Sequence, residues 1–296
     1  LTSGSLALLS WNIQWGRGMD GRVDLERTAR VLSACAADVI CLQEVAVNHP
    51  GLPGGADEDQ PARLRRFFPG YEAAYAPASD LPDGSGGRRQ FGQMILSRYP
   101  LLQVFRHLLP WPADPGVPSM PRVALEAAVA TPGGVLRVVT SHLEFYSASQ
   151  RAAQVEALRQ LQLEAHRHAA LSRSAAETDP PFAVLPRGSF AVFCGDFNCP
   201  AGATEHGRMQ APIAVDVPRL VDAWTLVHPG VPHAPTAGVH GGGFTAGPAC
   251  YDFCFVSENL RVAGIEVDST TDASDHQPVL LRLVSPLMCS SAGLMT

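Results

Sequence analysis

Lysine is missing from the 296-residue chain: the 22 basic residues are all arginine, set against 28 acidic ones for a formal net charge of −6. Affinity for long nucleic acid grows with each phosphate that a basic groove neutralises, so composition does not support such a groove. Arginines beside a divalent cation can still grip a few phosphates. No apolar run reaches the roughly 18 residues that a membrane span needs, and no basic region precedes Leu6–Leu9. Stable membrane insertion is therefore not expected, while a leader removed upstream of Leu1 remains compatible with the sequence. The seven cysteines form no CxxC pair. Cys194 and Cys254 lie in strand-like runs, where a free thiol is a small core residue. This usage favours a reducing, cytoplasmic setting over disulfides or a thiolate metal site. The run Gly241-Gly242-Gly243 lacks the lysine and the following helix of a phosphate-binding P-loop.

What is present is apolar and loop-rich: 46% hydrophobic residues with 27 glycines and 25 prolines. That suits a compact α/β core with many connections. Apolar strands are expected at Leu6–Trp11, Val39–Leu42, Gly92–Ser97, Phe190–Cys194, Tyr251–Val256 and Val279–Leu283, with a possible edge strand at Leu101–Leu109. Thr131-Pro132-Gly133-Gly134 marks a hairpin turn between Arg122–Val129 and Val135–Thr140. Asp24 is placed to cap a helix over Leu25–Ala36, a second helix fits Gln60–Phe68, and Ser147 or Ser149 can cap a long one from Gln150 to about Ala170. Loops are expected at 46–60, Pro77–Arg89 and 199–216, with a linker at 172–188. The acids Asp57-Glu58-Asp59 read as solvated surface. No repeat or clean linker divides the chain, so one domain over residues 1–296 is expected, with 285–296 a loose tail and a monomer as the working unit.

The chemistry collects where strands end. Asn12 and Gln14 follow the first strand, Glu44 the second, and His142 the second arm of the hairpin. Gly195-Asp196-Phe197-Asn198 follows a central strand, where residues two apart in an extended chain point the same way. Asp252 opens the next strand, and Asp275-His276 precede the last. Singly, each has a structural explanation as a turn, a cap or a satisfied core group. Jointly they suggest one rim, because a sheet gathers its strand ends along a common edge.

The segments WNIQW, LQEV, SHLE, GDFN, YDFCFVS and SDHQPV, in this order across residues 8–283, resemble the endonuclease/exonuclease/phosphatase superfamily with its DNase-I-like fold. The resemblance implies a four-layered α/β sandwich, two facing mixed β-sheets with helices outside. It also implies a phosphoester hydrolase dependent on Mg2+, with Mn2+ a possible substitute. On that pattern Glu44, Asp275 and Asn12 resemble the metal-binding set. Asp196 and Asn198 resemble the pair that activates water and holds the phosphoryl group, and His276, oriented by Asp252, the histidine at the scissile phosphate. His142 resembles a second histidine found in the nuclease and sphingomyelinase branches. Arg122 and Arg89 are candidate phosphate contacts, with Asp222 and Gln14 as supporting residues. Gln14 and Gln93 depart from the carboxylate or asparagine that many members carry there.

Such residues suit the task. Magnesium takes hard oxygen ligands and keeps several waters, so one or two carboxylates suffice. A carboxylate can accept a proton from water, and a histidine can carry charge near neutral pH. A nuclease-like phosphodiesterase is the first reading. A phosphatase or phosphodiesterase for a small molecule or phospholipid head group is the alternative, and a non-catalytic binding module the least favoured.

Overall fold

Strands whose sequences are apolar at nearly every position must be covered on both faces, and the fold covers them. The computed structural model describes residues 5–171, 187–188, 190–241 and 247–284. Most of the expected linker, most of the Gly241 run and the tail 285–296 lie outside these residues. The chain begins with β1 (Ser5–Asn12), α1 (Leu25–Ala34), β2 (Val39–His49), β3 (Ala56–Asp59), α2 (Gln60–Phe67), β4 (Glu72–Pro82) and β5 (Arg88–Ser97). It continues with β6 (Leu101–Leu108), β7 (Val123–Thr131), β8 (Gly134–His142), α3 (Ala148–Ala170), β9 (Ala191–Asp196) and α4 (Thr204–Gln210). The last elements are β10 (Leu220–Asp222), α5 (Ala223–Val227), β11 (Asp252–Ser257), β12 (Val262–Val267) and β13 (Val279–Val284).

One sheet has seven strands, in the order β12-β13-β1-β2-β5-β4 with β3 beside β2, and the other six, in the order β10-β11-β9-β8-β7-β6. Both are mixed: β1 and β2 run parallel, as do β8 and β9, within otherwise antiparallel sheets. The sheets face each other and carry helices outside, which is the expected α/β sandwich.

Alternation along each strand sorts side chains between layers. Leu8, Val39, Cys41 and Ile95 from one sheet meet Val138, Val192, Cys194 and Cys254 from the other in the central core. Their neighbours Leu9, Ile40 and Leu42 turn outward onto Leu25 and Leu32 of α1 and Leu64 of α2. Val139, Phe193 and Phe255 turn outward onto Val155, Leu158 and Leu161 of α3 and Met209 of α4. All six described cysteines are free thiols.

Helix starts follow local chemistry. The Asp24 carboxylate accepts the amides of Glu26 and Arg27 at the head of α1, and Ser147 accepts that of Gln150 in α3. Asp57 and Asp59 are exposed, as expected, and Asp59 also caps α2 through the amide of Ala62. Three expected loops hold regular structure. β2 and β3 occupy much of 46–60, and β4 and β5 extend into 77–89 through a register shift between Pro77 and Ser79. α4 lies within 199–216.

Candidate active site

The inward-facing residues grade from apolar to polar along each central strand. On β1 the series is Leu8, Ser10, Asn12, and on β2 it is Val39, Cys41, Gln43. Gln43 crosses between the sheets, its Nε2 donating to Thr140 Oγ1 at 2.8 Å and to Ser10 Oγ at 3.3 Å. Above this tie lie the strand ends. The parallel registers pair Asn12 with Gln43 and His142 with Asp196, and the antiparallel register pairs Asp252 with Asp196. The polar ends of both sheets thus meet at one rim.

Asn12 joins the sheets: its Nδ2 donates to Asp196 Oδ2 at 3.1 Å and to Glu44 Oε1 at 3.2 Å. Asp196 Oδ2 also faces His142 Nε2 at 3.4 Å and His276 Nε2 at 3.6 Å. His276 Nδ1 donates to Asp252 Oδ2 at 2.8 Å. Gln14 Nε2 donates to Asp275 Oδ2 at 2.8 Å. Ser274 Oγ donates to the Asn12 carbonyl at 2.7 Å, and Trp11 Nε1 to the His276 carbonyl at 2.9 Å, so β1 holds the segment that bears Asp275 and His276.

Two backbone devices aim the carboxylates. Alternation after Gln43 would turn Glu44 away from the rim. Instead the β2–β5 register shifts between Leu42 and Val45, and Glu44 adopts φ 60°, which brings its side chain back to Asn12. Gly195 has φ 134°, and a Cβ there would lie 1.9 Å from the Ser141 carbonyl oxygen, so only glycine allows β8 and β9 to close beside Asp196. Asn198 reaches the rim by a turn rather than by strand alternation. β9 ends at Asp196, whose Oδ1 accepts the Asn198 amide at 2.9 Å. Asn198 has φ 49°, and its Nδ2 donates to the Leu143 carbonyl at 2.8 Å.

Electrostatics separate the two histidines. Burial and then the Arg122 guanidinium push His142 down to about 3, against the pull of Asp196. Burial disfavours charge on His276 too, but Asp252, Asp196 and Asp275 outweigh it and raise its pKa well above the ordinary histidine value. Burial, followed by the Asp275 charge, raises Glu44 to about 7 in the metal-free protein. Asp275 is raised as well, chiefly by burial.

The remaining expected residues divide. Arg122 is buried beside the rim, its Nε donating to the buried Glu144 Oε2 at 3.2 Å. Arg89 lies farther along β5, opposite Leu81, and its side chain makes no hydrogen bond or ion pair among the described residues. Asp222 is outside the cluster. Its Oδ2 accepts His206 Nε2 at 2.8 Å and His233 Nε2 at 2.6 Å, and its Oδ1 accepts the Trp224 amide at the head of α5. Glu144, Thr140, His206 and Ser274 were not foreseen. Glu144 and Ser274 had a signal in the sequence, the one two residues beyond His142 in the SHLE segment and the other the first residue of SDHQPV.

Among the described residues two His/carboxylate groups, Asp196–Asp252–His276 and His206–Asp222–His233, each bring their ligand atoms within 4.8 Å of one another. They differ in fitness for a cation. The first stands beside the acids Glu44 and Asp275 and contains buried atoms without hydrogen-bond partners: His142 Nδ1, Gln14 Oε1 and Asp252 Oδ1. Crowded carboxylates with protonation driven upward fit a divalent ion bound by hard oxygens. In the second, the Gly202 amide donates to His206 Nδ1 at 3.3 Å. That leaves the proton on Nε2, directed at Asp222, where a metal would need a lone pair.

A sandwich of two mixed sheets with a rim of carboxylates, amides and histidines defines a class of hydrolytic metal-site folds. The chain belongs to the Endonuclease/Exonuclease/phosphatase family, whose model matches residues 9–276. No curated protein matches its sequence significantly. Among solved structures, an endonuclease/exonuclease/phosphatase from Beutenbergia cavernae is 24% identical with a TM-score of 0.67, the match covering 98% of this chain and 73% of that one. The mannosyl-6-phosphatase of Bacteroides thetaiotaomicron is 18% identical with a TM-score of 0.66 over 94% of this chain and 99% of its own. ANGEL2, described as a 2′,3′-cyclic phosphatase, is 18% identical with a TM-score of 0.62 over 97% of each chain. Family membership and the acidic clusters together support a hydrolytic phosphoesterase activity. No helix among the described residues is long and apolar enough to cross a membrane.

Proposed function

We propose that the protein is a Mg2+-dependent phosphodiester hydrolase, nuclease-like in mechanism, in which water attacks phosphorus in line with the departing oxygen. The reading rests on one observation: Asp196 Oδ2 stands between His142 Nε2 and His276 Nε2, at 3.4 and 3.6 Å, while Asn12 ties it to Glu44. Glu44 and Asp275, with the Asn12 side chain, would hold Mg2+ or Mn2+. The bound ion would supply positive charge to the phosphoryl oxygens and to the leaving oxygen.

The chain's own groups do the rest. Asp196 accepts the proton of the attacking water at Oδ2, and Asn198 fixes the loop over which that water lies. His276, held charged by Asp252 and its acidic neighbours, donates to a non-bridging phosphate oxygen and opposes the charge gathering there. His142 is neutral at physiological pH because its pKa lies near 3, so it serves as a hydrogen-bonding partner rather than a source of a full proton. Arg122 is committed to Glu144 and adds a fixed positive field behind His142. Gln14 steadies Asp275 through their hydrogen bond, Asp222 acts only through the fold by holding His206 and His233, and Arg89 meets only a substrate that extends along β5.

The test is hydrolysis of bis(p-nitrophenyl) phosphate. Turnover should require Mg2+ or Mn2+ and fall by about a thousandfold in His276→Ala or Asp196→Asn with folding intact. Equal turnover in excess chelator would defeat the metal assignment. A second reading, a phosphatase or phosphodiesterase for a small molecule or phospholipid head group, draws support from the net charge of −6 and the absence of lysine. It also draws support from the half-exposed Trp111 and Tyr146, on two loops that meet at Glu144, which belongs to the second. Comparing duplex DNA, RNA, sphingomyelin and sugar phosphates as substrates separates the two. We propose that this chain forms one domain that works as a monomer, and that its six described free thiols suit a reducing, cytoplasmic setting.

A further inference from the structure

The residues from His233 to Gly238 belong to no strand or helix, yet they join two segments that carry site residues. Thr236, fully buried, accepts the amide of Tyr251 at 3.0 Å and that of Asp252 at 3.1 Å on its Oγ1. Its own amide donates to the Ala249 carbonyl at 2.9 Å, and its carbonyl accepts the Gln277 amide at 2.6 Å. Ala237 forms bridges with both Ala249 and His276, and the Gly238 amide donates to the Asp275 carbonyl at 3.4 Å. At the start of the stretch, His233 is fastened to Asp222. One short segment therefore binds the first residue of β11 to the Asp275–Gln277 loop.

The geometry points to Thr236 as a positioning residue, whose hydroxyl sets the backbone at Asp252 and so the direction in which Asp252 holds His276. The inference rests on the reading of Asp252 and His276 as part of the reacting site. The Asp252 carboxylate has few other restraints. Its Oδ2 accepts His276 Nδ1, and its Oδ1 is buried without a partner. The carboxylate therefore follows its own backbone, and the amide of that backbone ends on Thr236 Oγ1. Both lone pairs of the hydroxyl are used by the two amides. Replacing it by a methyl leaves two N–H groups, the buried one of Asp252 and the part-buried one of Tyr251, without an acceptor at the point where the strand begins. The strand start must then rotate or admit water, and the Asp252–His276 hydrogen bond turns with it.

The deciding experiment compares Thr236→Val, which keeps the shape and removes the acceptor, with Thr236→Ser, which keeps the acceptor. The first readout is the downfield proton resonance of His276 Nδ1–H, assigned by its loss in His276→Gln. It should move upfield or vanish by exchange in Thr236→Val and stay in place in Thr236→Ser. The second readout is kinetic: kcat should fall by about tenfold in the valine variant with KM within roughly twofold, while the serine variant stays near wild type. A folded Thr236→Val protein with an unmoved resonance and unchanged kcat overturns the inference, even if its melting temperature drops. Should Thr236→Val fail to fold, hydrogen exchange of the wild type together with Thr236→Ser decides the matter. The Tyr251 and Asp252 amides must be among the slowest to exchange, and the serine variant must keep the resonance; failure of either overturns the inference. Because the resonance needs no turnover, a protein that hydrolyses no phosphoester defeats the hydrolase reading alone.

Discussion

Asp196 and Asp222 each turn one carboxylate oxygen toward the Nε2 atoms of two histidines, and the spacing separates their purposes. Around Asp222 the distances are 2.8 and 2.6 Å, and the second carboxylate oxygen caps a helix. Around Asp196 they are 3.4 and 3.6 Å, beyond the usual span of about 2.7–3.2 Å for an N–H···O bond, and neither contact is a hydrogen bond; unpartnered polar atoms lie nearby. The closed cluster has its hydrogen bonds already and serves the fold. The open one keeps binding capacity in reserve, at a cost in stability, as buried polar groups without partners do. A list of histidines and carboxylates from the sequence would rank the two alike; the distances, the unpartnered atoms beside Asp196 and the amide that donates to His206 Nδ1 tell them apart.

Equivalent substitutions should give opposite results at the two clusters. Asp196→Asn should reduce phosphodiester turnover by about a thousandfold and change the melting temperature little, whereas Asp222→Asn should leave kcat within roughly threefold. A thousandfold loss from Asp222→Asn would mean that the clusters work as one site. In a calorimetric Mg2+ titration, Glu44→Gln should abolish binding, while His206→Phe should retain the wild-type stoichiometry. A lost binding site in His206→Phe would show that the closed cluster takes a cation after all. Asp222→Ala, which strands two histidines and uncaps α5, should cost about 2 kcal/mol in urea unfolding at pH 7. An equal loss from Asp196→Ala would erase the proposed difference in purpose.

Acidity offers a smaller effect. Glu44 is raised to about 7 in the metal-free protein, so the folded chain binds the extra proton between its ordinary value of 4.5 and 7. That contribution to stability is complete below 4.5 and lost as pH rises through 7. Cation affinity should move the other way, strengthening from pH 6 to pH 8 as the competing proton leaves, and Glu44→Gln should flatten the stability trend. His142 has the opposite sign. With its pKa pushed down to about 3, the unfolded chain takes up the proton first, and stability falls as pH drops from 6.5 toward 3. Urea midpoints across pH 4 to 8, with and without Mg2+, read both trends.

Much of this architecture could be read in advance because hydrophobic alternation and helix caps are local signals. The β7–β8 hairpin, the edge strand β6 and the capped helices α1 and α3 all follow from neighbouring residues. The far ends of β4 and β5 were hidden by Pro77 and a glycine-rich turn; that hairpin is half-exposed and lacks an apolar face. α4 offers no side-chain cap and buries only His206 and Met209. At the site, the strand-end polar residues do converge. The means were invisible: the left-handed backbone at Glu44, the turn that delivers Asn198, and the Asp222 cluster all depend on partners far away in sequence. Glu144 and Thr236 escaped notice for the same reason, since each acts through hydrogen bonds that only the folded chain creates.

The Gln43 tie between the sheets has a further consequence. Below it the facing side chains are hydrocarbon and thiol; above it they are amide, imidazole and carboxylate. The molecule thus has a waterline, drawn by one glutamine spanning two sheets. Solvent and substrate can come and go above that level, and surface loops can diversify around the mouth, while the dry keel beneath stays untouched by what the mouth learns to accept.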